Sequence, residues 1–340
     1  MTGATLEAMW GAIEESKPRF VQYLNRKAQM LGLERLAWAD VEAPVGDSVQ
    51  HISYEAGAEL IVEQFRRFSP KMAEFAEMAF AKRWIEAEDR PGKRPGGFCT
   101  SFPIAGETRI FMTFGGTMNN VSTLAHELGH AYHQHVMNDM PPLAQEYAMN
   151  VAETASTFAE MIVADALVSA AATEGERVTL LEDKLQRAVA FFMNIHARFI
   201  FETNFYEERR RGLVNVDRLN ELMVDAQKKA FLDSLSGYHP HFWAAKLHFY
   251  ATDVPFYNFP YTFGYLFSAG IYERAKREGL AFEDKYAALL RDTGSMTVEE
   301  LAAKHLGVDL TKRDFWQGAV RMAAEDVDQF LALTENMVRA

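Results

Sequence analysis

One cysteine, Cys99, is all the chain has among 340 residues. No intrachain disulfide can form, and a multi-cysteine metal cage is excluded. Nothing beside Cys99 looks like a partner base, so it reads as a packed residue. Basic residues are the minority, 35 Lys and Arg against 47 Asp and Glu, for a net charge of −12. That balance argues against a nucleic-acid surface or an anionic-membrane binder, both of which need clustered cations. No uncharged apolar run is long enough to span a bilayer. The N-terminal stretch MTGATLEAMWGAIEESKPRF has neither the basic head nor the apolar core of a signal peptide, and the expected address is the cytoplasm. Proline is scarce, at 11 residues, and there is no internal repeat, low-complexity tract or flexible linker. One domain over residues 1–340 is the economical expectation.

Strand signals are scarce too. Two short apolar runs, Phe98–Phe102 and Arg109–Phe114, flank the glycine-containing Pro103–Thr108 and predict a hairpin. Leu36–Val41 is the other strand-like stretch. The rest carries helical periodicity, and 49% apolar residues are ample for a core. Helices are predicted over Leu6–Leu33, Tyr54–Phe68, Pro70–Glu86, Thr117–Met137, Leu143–Ala172, Glu176–Arg211 and Val216–Ser234. Another runs from the aromatic segment to about Arg277, a short one opens at the capping-box pattern of Thr297–Glu300, and the last covers Thr311–Thr334.

The predicted Thr117–Met137 helix contains HELGH, His126–His130. At ~3.6 residues per turn, side chains four apart share a face, so His126 and His130 can offer two imidazole nitrogens to one metal ion. Glu127 can flank that ion without ligating it. This is the HExxH arrangement of zinc hydrolases, where the Glu is the general base. The neighbours Val121, Leu124, Ala125, Leu128 and Ala131 are small or apolar, so the helix reads as buried. Buried ionisable groups are costly unless paired or metal-bound. Gly129 costs the helix about 1 kcal/mol relative to alanine, which close approach of another backbone or a ligand would explain.

A catalytic zinc takes a third protein ligand. HExxHxxGxxH is excluded, because positions 133 and 136 hold His133 and Val136. A downstream helix offers Glu146, Glu153 and Glu160, seven residues apart and near one face. Spacing alone leaves all three open. The alanines around Glu153 permit close helix approach and favour it, while Glu160 could orient a ligand histidine by a hydrogen bond. Glu146, after Pro141 and Pro142, reads as exposed.

HELGHAYH, then ETASTFAE, then HFYATDVPFYNFPYTFGYLFS, with ERLAWADVEAP and RPGKRPGGFCTSFP upstream, resemble the oligoendopeptidase F branch of the thimet-oligopeptidase family of zinc metallopeptidases. The likeness covers essentially the whole chain. It implies one Zn2+ per chain held by His126, His130 and Glu153, with Glu127 as the base and oligopeptides, cut internally, as the substrates. It implies a mainly α, zincin-type catalytic domain with one small antiparallel sheet beside the active-site helix. Members are usually longer, with a further helical region before the part seen here. The chain is therefore read as a short member or a fragment.

In this family a His and tyrosines of the aromatic segment bind the reaction intermediate, which implies His248, Tyr257 and Tyr261 as donors. Pro260 predicts a helix start that leaves Tyr257 in a loop and Tyr261 in the first turn. Tyr265 reads better as a core aromatic. A peptide can add as a strand beside the hairpin, and Arg109–Phe114 with Gly115 and Gly116 is the expected holder, while Gly96 and Gly97 permit close backbone approach. His133 reads as a packed neighbour or a support for the ligands, and His51, His196 and His305 as structural. Rival readings are a non-catalytic zinc-containing peptide-binding module and a zinc carboxypeptidase or amidase.

Overall fold

The computed structural model describes residues 1–46, 51–94 and 96–337. Helix α1 (Gly3–Met30) buries Met9, Ile13, Phe20 and Leu24. The strand expected at Leu36–Val41 is absent, and Trp38–Asp40 form a 3-10 turn instead. Asp40 Oδ2 accepts from the Ala37 N–H at 2.8 Å, and the Trp38 N–H donates to the Gly237 carbonyl at 3.0 Å. The backbone is thus satisfied by a side chain and a loop, without a strand partner.

Ser53 caps α2 (Tyr54–Phe68) by accepting from the Ala56 N–H. Ser69 does the same for α3 (Pro70–Ala81) from the Met72 N–H, with Pro70 in the first turn. Helix α3 stops before Glu86, because Arg83 turns to a φ of 56° and Ile85–Glu86 become strand β1. Strands β2 (Gly97–Phe102) and β3 (Glu107–Met112) form the expected antiparallel hairpin, and β1 joins in parallel, giving the order β1-β3-β2. This corrects one expectation. The strand at Arg109–Phe114 is central and hydrogen-bonded on both sides, so it has no edge for a peptide; β2 is an edge strand. Lys93 pins the loop that leads into β2. Its ammonium donates to the carbonyls of Glu86, Glu88 and Met112 and pairs with the Glu86 carboxylate at 3.0 Å.

Thr117 caps α4 (Met118–Met137) in a capping box with Asn120. The single helix expected over Leu143–Ala172 is corrected to a 3-10 turn Pro142–Gln145, α5 (Met149–Ala152) and α6 (Thr154–Ala170). Glu153 sits at the joint with φ −86° and ψ 4°. The Ser156 and Thr157 hydroxyls donate to its carbonyl at 3.1 and 2.6 Å, which stabilises the break. Then follow α7 (Glu174–Val189), a π-helical turn Ala190–Asn194, and α8 (Ile195–Arg209), together the long helix predicted from Glu176. After α9 (Val216–Ala230) and α10 (Phe242–Ala245) comes α11 (Phe259–Glu278), with Pro260 in its first turn. Then come α12 (Glu283–Asp292), α13 (Val298–Leu306) and α14 (Arg313–Leu333). The predicted capping box opens α13, with the Glu300 N–H on Thr297 Oγ1 at 3.3 Å and the Thr297 N–H on Glu300 Oε2 at 2.9 Å.

The chain divides into two compact units, Met1–Ala8 with Ser48–Ala171 and Gly264–Ala319, and Met9–Asp47 with Ala172–Phe263 and Val320–Ala340. In the first, α4 packs on α6, on β2 and β3 and on α12, burying Val121, Leu124, Leu128 and Ala131. In the second, Phe201, Leu222, Met223, Ala226 and Phe242 form a core between α8, α9 and α10. That unit also buries Lys27 against Glu182 at 2.5 Å, with the Tyr23 hydroxyl donating to the same carboxylate at 2.9 Å. Among the described residues no helix is long and apolar enough to cross a membrane.

Candidate metal centre

The first unit brings His126, His130 and Glu153 together, with one ligand atom from each within 4.8 Å of the others. Glu153 Oε2 lies 3.2 Å from His126 Nε2 and 3.4 Å from His130 Nε2. Two ligands each ~2.1 Å from one tetrahedral ion are themselves ~3.4 Å apart, so these edges fit zinc. The helices can meet this closely because α4 carries Gly129. A Cβ there would lie 2.4 Å from the Ala155 carbonyl oxygen and 2.7 Å from Ser156 Cα. On the other side, a Cβ on Gly264 of α11 would lie 2.6 Å from Glu153 Cβ. The Ser156 hydroxyl donates to Glu153 Oε2 at 2.7 Å and steadies the carboxylate.

Glu160 Oε2 lies 3.4 Å from His126 Nδ1, the nitrogen that the triad does not use. A carboxylate there fixes the tautomer and ring orientation of a metal-binding imidazole. Glu146 is exposed and lies outside α6, so the proposed shared face of three glutamates does not form. Glu127 is 5% exposed, and its Oε2 has no hydrogen-bond partner among the described residues. Gly97, the first residue of β2, packs on this carboxylate, and a Cβ there would lie 3.0 Å from Glu127 Oε1. The edge strand therefore begins against the candidate base.

Charge follows from this packing. Burial opposes protonation of His126, but the carboxylates of Glu153 and Glu160 outweigh it and raise its pKa to about 10. Burial also works against the Glu153 carboxylate, yet the two imidazoles hold its pKa well below the usual range. Glu127 goes up, because burial outweighs the pull of His126 and His130. Three carboxylates around two imidazoles, one with an orphaned oxygen, make a site that favours a cation. The donor set of two imidazoles and a carboxylate suits zinc. The Cys99 thiol is pushed up to about 12 by burial and by Glu127, which removes it as a nucleophile near neutral pH.

His133 is packed, with its ring stacked on Tyr147 at 4.3 Å and its Nε2 2.9 Å from Thr293 Oγ1. His135 packs on Phe75, with ring centroids 4.7 Å apart and the planes tilted by 35°. His305 pairs with Asp292 at 2.7 Å.

His248, Tyr257 and Tyr261 belong to the second unit, where they gather. The His248 ring centroid is 5.0 Å from that of Tyr257 and 6.0 Å from that of Tyr261, and the two tyrosines are 6.1 Å apart. As predicted, Tyr257 precedes α11, Tyr261 lies in its first turn, and Tyr265 follows one turn later. Arg198 of α8 acts on both His248 and Tyr261 through its charge. Its place in this cluster carried no sequence signal, since an arginine in an amphipathic helix reads as a solvated face.

The sequence model of peptidase family M3 matches residues 62–322. The oligoendopeptidase F homolog of Lactococcus lactis subsp. lactis is 26% identical over 341 residues, covering 98% of this chain and 55% of that protein. The oligopeptidase PepF of Bacillus subtilis is 25% identical over 327 residues, covering 93% of this chain and 47% of the relative. The chain thus spans about half the length of the curated relatives it matches. Among solved structures, a putative peptidase from Chlamydophila abortus superposes with a TM-score of 0.85 at 19% identity, over 98% of this chain and 56% of that one. The metallocarboxypeptidase 1 of Trypanosoma cruzi gives 0.61 at 14%, over 96% and 70%. These structural likenesses establish the shared fold, and the sequence match carries the lineage: the chain belongs to peptidase family M3, in its oligoendopeptidase F branch.

Proposed function

We propose that the protein is a zinc-dependent endopeptidase that hydrolyses internal bonds of oligopeptides. The observation that carries this reading is the convergence of His126, His130 and Glu153 beside the buried Glu127 in a family M3 chain. Zinc held by these donors would supply Lewis acidity to water and to the carbonyl of the bond to be cut. Glu127 accepts the proton that water gives up and passes it to the departing amine. Burial suits it to this exchange, since a raised carboxyl pKa moves towards neutral pH. Glu160 holds His126 in orientation through Nδ1.

The edge of β2 takes the main chain of the substrate by strand addition, with alternate side chains read on either face. Its start against Glu127 supports this assignment. His248, Tyr257 and Tyr261 donate to the oxyanion, a role worth about 3–4 kcal/mol per donor. Their mutual clustering and the family likeness of their segment support that role.

The test combines metal analysis of the purified chain with a quenched-fluorescence nonapeptide whose cut sites are read by mass spectrometry. Internal cuts by a zinc-loaded chain are expected. Glu127→Gln should keep the metal and lose roughly 10²–10⁴-fold in turnover. Release of single C-terminal residues alone would make the protein a carboxypeptidase, and zinc without any cleavage would make it a binding module.

A further inference from the structure

Arg198 lies on α8 in the second unit, just after the π-helical turn Ala190–Asn194. Its guanidinium is partly buried. Nε donates to Asn194 Oδ1 at 2.9 Å, Nη1 donates to Asn258 Oδ1 at 3.0 Å, and the group sits 5.2 Å from the Phe242 ring centroid. Every one of these partners is neutral. Among the described residues Arg198 forms no ion pair and Nη2 has no acceptor. Arg218 and Arg274 each hold a carboxylate, whereas Arg26 and Arg35, like Arg198, are met by neutral oxygens.

Lys246 adds a second positive charge nearby. Lys246 Nζ lies 4.8 Å from the same Phe242 ring. His248 Nδ1 is buried without a hydrogen-bond partner among the described residues. The charge of Glu42 reaches both Arg198 and Lys246, but among the described residues it pairs directly with neither. A guanidinium withdrawn from water and not directly paired is costly, and an incoming anion recovers part of that cost. The fork left open is shaped for the two oxygens of a carboxylate.

We propose that Arg198, with Lys246 beside it, is a carboxylate-binding subsite for the peptide substrate. This deepens the endopeptidase reading and rests on it for the ligand class. The carboxylate comes either from the free C-terminus of the peptide or from an Asp or Glu side chain within it. Both sources present the same pair of oxygens.

The experiment compares wild type, Arg198→Met and Arg198→Lys on two peptide pairs, free acid against C-terminal amide, and internal Asp against Asn. In wild type, loss of the recognised carboxylate is expected to raise KM roughly ten- to hundred-fold with kcat held. The pair that shows the change identifies the source. Arg198→Met should treat both members of that pair alike, and Arg198→Lys should keep part of the discrimination, which separates recognition from a packing role. Indifference of wild type to both pairs overturns the subsite, as does discrimination that survives in Arg198→Met. If wild type cuts no peptide, the endopeptidase reading fails on its own. The subsite is then judged by fluorescence anisotropy of the same labelled peptides, where equal affinity for acid and amide and for Asp and Asn overturns it.

Discussion

Three glutamates show how position alone assigns chemistry to one residue type. Glu153 meets both imidazoles, Glu160 meets the far nitrogen of His126, and Glu146 is exposed. Glu153→Ala is expected to weaken zinc binding most. Glu160→Ala should weaken it about 10–100-fold, as outer partners of metal-binding histidines do. Glu146→Ala should leave it unchanged. Competition against a chromophoric chelator ranks the three, and equal affinities would refute the choice of third ligand. The histidine pair was legible because its spacing is a local property of a helix. Arg198 was not, because Asn258, which holds it, lies 60 residues away.

Helix α4 is held in place by what α6 allows. Its start was legible from Thr117, and its need for a small residue at position 129 from the cost of glycine there. The contact behind that glycine is the Ala155–Ser156 backbone. Gly129→Ala improves helix propensity by about 1 kcal/mol. It is nevertheless expected to destabilise the protein by about 1–3 kcal/mol, because backbone cannot give way as a flexible side chain can. It should also lower zinc affinity by moving both imidazoles away from Glu153. Gly175→Ala in α7, where an added Cβ meets nothing within 4 Å, is the control and should be neutral or mildly stabilising. Urea melts with and without zinc check both. The break at Glu153 was not legible, since the residues around it suit a continuous helix, and besides the Ser156 and Thr157 hydroxyls its carbonyl accepts from the Ser268 hydroxyl of α11 at 3.3 Å, 115 residues away.

For the whole molecule, buried imidazoles set the acid limit. His196 is 4% exposed, stacks on Trp10 at 4.2 Å and has Lys17 Nζ 2.6 Å from its Nδ1. Burial, then the charges of Lys17 and Lys229, hold its pKa down to about 2 from the ordinary histidine value of 6.5. The unfolded chain takes up this proton near pH 6.5 while the folded chain does not until about 2. The stability contributed is therefore whole above pH 6.5 and falls as pH drops towards 2, by about 1.4 kcal/mol per pH unit. Urea unfolding between pH 7 and pH 4 should show a shallower decline for His196→Gln than for wild type. Parallel declines would mean that the folded protein already binds this proton.

Most helix positions, the capping box at Thr297–Glu300, the hairpin and the HExxH pair followed from the sequence by itself, because each rests on residues within a few positions of one another. The tertiary structure alone decided that β3 is the central strand, that α6 breaks off at Glu153, that Gly97 rests on Glu127 and that Arg198 forms no ion pair among the described residues. The physical reason is range. Local periodicity fixes which face of an element is apolar, but packing between distant segments fixes which backbones touch and which charges are left without a partner.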